Sequence, residues 1–84
     1  MMSESEARQR AYEFAQRKIV SKGYTLQEVP ARQVSETDWA FAYVMIAPSG
    51  ARSCTQIVLV DKSTGRARTL RDAIGEGWRG QPKR

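Results

Sequence analysis

A chain that runs Ile57-Val58-Leu59-Val60, then Asp61-Lys62-Ser63-Thr64-Gly65, then Arg66-Ala67-Arg68-Thr69-Leu70 has few ways to fold that stretch. An unbroken aliphatic run from Ile57 to Val60 requires a strand buried on at least one face. The segment after it holds turn chemistry: aspartate hydrogen-bonds backbone amides two residues on, and glycine accepts a positive φ at no steric cost. Arg66 to Leu70 then returns as a second strand. Its short, polar and basic character suits a sheet edge that must not recruit a neighbour. The hairpin places a sheet at the centre of the fold and carries no catalytic signature.

The rest of the chain is arranged around that hairpin. Ser3 and Glu6 form an S-x-x-E capping box, and Glu4 and Glu6 favour the positive end of a helix dipole. Ala7, Ala11, Phe14, Ala15, Lys18 and Ile19 recur at helical spacing on one stripe. The expected helix runs from about Glu4 to Lys22, with Gly23 at the left-handed position beyond its end. Tyr24 to Val34 reads as an extended strand. Pro30 lacks the ladder donor, so this strand lies at a sheet edge or is broken by a bulge. Trp39 to Ala47 follows, with Trp39, Phe41, Tyr43 and Met45 on one face and Ala40, Ala42, Val44 and Ile46 on the other. Apolar residues on both faces are the mark of a central strand. Arg52 to Val60 returns antiparallel after the turn at Pro48, Ser49 and Gly50, and Thr69 caps a helical turn toward Asp72.

The order helix, then strands joined by short turns, predicts an α+β domain: one N-terminal helix packed on a four-stranded antiparallel β-meander. Residues 1–84 form a single domain, ordered over about 4–79, with 80–84 a frayed tail. One helix covers one sheet face. The second face is therefore covered by the C-terminal segment with Ile74 and Trp78, or by another chain, most simply in a two-fold homodimer.

Composition excludes much chemistry. The chain has no histidine and one cysteine, which removes the usual general base, the triads and thiolate metal sites. No enzyme activity, cofactor or metal is expected. Cys54 reads as a small buried thiol near a strand. No signal peptide or membrane span is visible, which points to the cytoplasm. The net charge is +5, and Lys62, Arg66, Arg68, Arg71, Arg79, Lys83 and Arg84 stand against only Asp72 and Glu76 after Asp61. Such a basic region attracts phosphate backbones or acidic protein patches through the same field. Nucleic-acid binding by the basic C-terminal hairpin and tail is one reading. Against it, the aromatics needed for base stacking, Trp39, Phe41 and Tyr43, lie in the strand expected at the core.

The helix containing AYEFA, the segment GYTLQEV, the W-x-F-x-Y strand of Trp39, Phe41 and Tyr43 and the IVLVDKSTG hairpin together resemble the YrhB-like immunity domains found beside bacterial polymorphic toxins. A related look is shared with PepSY-type domains, whose hairpin carries a similar VD-x-x-TG. The resemblance covers roughly residues 7–70. It implies a bacterial protein that binds and neutralises a cognate toxin or enzyme without catalysis. Its basic strand and tail do not mimic nucleic acid, which argues against charge mimicry toward a nuclease. A small protein-binding module is the leading expectation, with Lys62, Arg66, Arg68, Arg71 and Trp78 as partner-binding candidates because arginine and tryptophan dominate interface energetics.

Overall fold

The computed structural model describes residues 3–20, 22–30 and 37–77, so Trp78, the expected tail and the far end of the strand expected through Val34 lie outside the described residues. The elements are α1 (Glu4–Lys18), β1 (Thr25–Val29), β2 (Asp38–Ile46), β3 (Gln56–Asp61), β4 (Ala67–Thr69) and α2 (Leu70–Gly75). The strands form one antiparallel sheet in the order β1-β2-β3-β4. This is the expected α+β fold with a short C-terminal helix added.

Helix α1 starts as its sequence dictates: the Glu6 amide donates to Ser3 Oγ at 3.2 Å, and the Ser3 amide donates to Glu6 Oε1 at 3.1 Å. It ends at Lys18, short of Lys22, because the Ile19 and Val20 amides both bond the Ala15 carbonyl. The chain leaves the helix there and both apolar side chains turn onto the core. Ala7, Ala11 and Ala15 are fully buried, whereas Phe14 is half-buried and Lys18 exposed. The contact stripe is thus built from the smallest side chains. They let the helix lie close over Phe41, Tyr43, Val58 and Val60. Tyr43 is enclosed there, and burial pushes its hydroxyl up to about 12.

β1 stops at Val29, the residue before Pro30, and lies at the sheet edge, one of the two positions the proline allows. Between β2 and β3 the chain makes an isolated bridge at Ile46 and Arg52 before regular pairing begins at Tyr43 and Gln56. Cys54 falls in this irregular stretch and is exposed, contrary to the expectation of a buried thiol. At the hairpin, Asp61 Oδ1 accepts from the Ser63 amide at 2.8 Å and the Thr64 amide at 2.9 Å, and Gly65 takes φ 78°.

The second sheet face is covered in part by the C-terminal helix, at β3 and β4. Ala42, Val44 and Leu59 on it are buried within the single chain. Thr69 caps α2 by accepting from the Asp72 amide at 3.0 Å, and α2 packs on β3 and β4 with Ala73 fully buried. Arg68 of β4 and Arg66 just before it both reach Glu76 at the end of α2, which ties the helix to this face.

If the alanine stripe sets the spacing between helix and sheet, Ala11→Leu will overpack it and cost about 1–3 kcal/mol in urea unfolding. A variant as stable as the parent would show that α1 does not lie against the sheet at Ala11.

Candidate functional site

The basic hairpin is occupied with the protein's own side chains. Lys62 places its ammonium 4.9 Å from the centre of the Trp39 ring. Arg66 bonds Glu76 at 3.0 Å while remaining largely exposed. Arg68 bonds Glu76 at 2.7 Å and stands 3.8 Å from Asp38, with only 17% of its side chain exposed. Asp38 itself is 1% exposed, and its other carboxylate oxygen accepts from the Thr37 hydroxyl at 2.7 Å. A carboxylate so far from water requires charge compensation, and the Arg68 guanidinium 3.8 Å away contributes to it. Arg66 and Arg68 are thus brought together on Glu76 while Lys62 is held apart from them on the Trp39 ring, so the hairpin is not a free cationic stripe. Trp78 lies outside the described residues.

Arg71 differs. It is exposed at the first turn of α2 and has no acidic partner among the described residues. It forms a shared wall, with Gln56 and Thr69, of two adjoining depressions at the end of the sheet where β3 begins. One encloses about 370 Å³ and is lined by Ile57, Leu70 and Ile74. The other encloses about 350 Å³ and is lined by Lys18, Ile19, Met45 and Asp72. Ile74 is 59% exposed, the most exposed large apolar side chain described. Sequence reasoning missed this groove. Its signal was present, since Leu70 and Ile74 are four apart on a helix capped by Thr69 and so share one face.

A larger cleft of about 720 Å³ lies between the first turns of α1 and the rim of β1 and β2. Its charged groups satisfy one another. Arg8 bonds Glu4 at 3.0 Å, bonds Glu28 and lies 5.0 Å from the centre of the Phe41 ring. Its size therefore offers space without spare recognition chemistry, and the smaller groove is the better candidate.

Charge is polarised along the sheet. At the end holding the β3-β4 turn, Glu4, Glu6, Asp38, Asp61 and Glu76 are matched by Arg8, Arg10, Lys62, Arg66 and Arg68. Lys18, Lys22, Arg52 and Arg71 belong to the groove end, with Asp72 as the acidic residue there. No group of His, Cys, Asp and Glu suited to a metal ion occurs among the described residues, and none of their helices is long and apolar enough to cross a membrane. Comparison with family models, with curated proteins and with solved structures gave no match.

The hydrogen bond from Arg68, with Arg66 adding to it, holds Glu76 below the usual carboxylate range. Because the folded-state value is the lower one, the Glu76 contribution to stability is complete above the unfolded pKa of about 4.3 and is lost as pH falls through the folded value. Glu76→Gln should accordingly show a flatter stability curve than the parent as pH is lowered from about 5 to about 2. Parallel curves in urea unfolding would mean that the carboxylate does not hold α2 to the sheet.

Proposed function

We propose that the chain is a small cytoplasmic protein-binding module that acts by binding alone, as an immunity or inhibitor protein does toward a cognate toxin or enzyme. The observation that carries this reading is the exposed Ile74 with Leu70 and Ile57 in an apolar depression beside an unpaired arginine. An apolar side chain with an arginine at its rim is the usual make-up of an interface anchor. The resemblance of the AYEFA helix and the IVLVDKSTG hairpin to YrhB-like immunity domains supports the same class and supplies the toxin as the kind of partner.

Nucleic-acid binding is the competing reading, and the arrangement of the hairpin weighs against it. Phosphate recognition needs cations free to release counterions, whereas Arg66 and Arg68 are held by Glu76. Single-strand binding adds exposed rings beside the cations for stacking, whereas Phe41 and Tyr43 are buried, Trp39 lies under Lys62, and the exposed Tyr12 and Tyr24 belong to α1 and the segment before β1 rather than to the hairpin.

Two measurements on the full chain decide between the readings. Labelled single- and double-stranded oligonucleotides should bind weakly at low salt and be released by about 0.15 M salt. The polypeptide encoded beside this chain in its genome should form a complex with it that survives that salt. Oligonucleotide binding that persists at moderate salt and is lost in Arg71→Ala, with no protein complex, would replace the protein-binding reading.

A further inference from the structure

We propose that the groove between the start of β3 and α2 receives a segment of the partner in which large apolar side chains stand next to Asp or Glu. This deepens the protein-binding reading and rests on it. The surface of α2 supplies the apolar contact. Leu70 and Ile74 face Ile57 across the depression, and Ile74 stays 59% exposed although Ala73 beside it is fully buried. The helix is already anchored by the Thr69 cap, by Ala73 and by Glu76. Ile74 is not needed to hold it, and its exposure leaves an apolar contact to be completed from outside.

Charge complementarity supplies the rest. Arg71 and Lys18 border the adjoining depressions, both are exposed, and neither has an acidic partner among the described residues. Lys22 and Arg52 extend the same positive end, whereas the carboxylates at the turn end are matched there by Arg8, Arg10, Lys62, Arg66 and Arg68. A segment bearing carboxylates is therefore steered to this end, and its register is set by pairing with Arg71. A basic or purely apolar segment would gain the contact with Ile74 and lose the pairing. A phosphate backbone would gain the pairing, but the groove presents aliphatic side chains where bases need a ring to stack on.

The test is a selection of random displayed peptides of about twelve residues against the full chain, counter-selected on Ile74→Asp, followed by titration of the winning synthetic peptides. Winners should combine Leu, Ile, Phe, Met or Trp with neighbouring Asp or Glu. They should bind at least about tenfold more weakly to Ile74→Ser and to Arg71→Glu, match the parent for Arg66→Ala, and weaken as salt rises. Amide spectra of the variants identical to the parent away from the groove would confirm that each is folded. Winners without carboxylates, or winners that bind both groove variants as well as the parent, would overturn the inference while leaving the protein-binding reading in place. So would an absence of winners with self-association abolished by Ile74→Ser, which would make a second copy the occupant. An absence of winners together with salt-resistant oligonucleotide binding lost in Arg71→Glu would overturn both.

Discussion

Arg68 is the side chain on which the arrangement of this small domain depends. The β2-β3 register sets Asp38 directly opposite Asp61, and like charges facing each other across a sheet repel. The two carboxylates are separated by different partners. Asp61 turns to its own hairpin turn, where the Ser63 hydroxyl, followed by the Thr64 and Ser63 amides, holds its pKa below the usual range. Asp38 is buried, and Arg68 reaches it from β4 across the intervening strand. The same guanidinium bonds Glu76 and so ties α2 to the second sheet face. One cation thereby compensates a buried acid and fixes the last helix in place.

That device explains how a chain of 84 residues sets a helix on each face of its sheet, with α2 over β3 and β4. On the first face, three alanines bring α1 close enough to enclose Phe41 and Tyr43. On the second, α2 has only six residues, too few to be stable by helix propensity, and it stays because capping, Ala73 and the ion pairs act together. The short helix ends the sheet unevenly. β4 stops at Thr69, so the start of β3 and the flank of α2 leave a groove between them. The binding surface follows from how the fold closes its second face.

Much of the fold was legible in the sequence because its signals are local. The Ser3 and Glu6 box, the Asp61 to Gly65 turn, the two-faced alternation of β2 and the Thr69 cap all lie within a few residues of what they specify. The function of the basic hairpin was not legible, because it depends on distant partners. Arg68 is thirty positions from Asp38, and nothing in the local pattern Arg66-Ala67-Arg68 distinguishes a free basic edge from one neutralised inside the molecule. Lys62 was hidden in the same way, its partner Trp39 lying on another strand. Arg71, of the same residue type and in the same run, points away from these acids and remains available. The burial of Cys54 was misjudged because the bridge at Ile46 and Arg52 delays β3 by several residues.

The central claim is that the hairpin's charge is structural and the charge at the groove is spare. Equilibrium urea unfolding of Arg68→Met beside Arg71→Met tests it most directly, since each change removes one cation and keeps most of the aliphatic stem. The account predicts a loss of about 2 kcal/mol or more for Arg68→Met, which strips a buried carboxylate of its cation, and a change within about 0.5 kcal/mol for Arg71→Met. Equal effects from the two substitutions, or a larger loss from Arg71→Met, would contradict it.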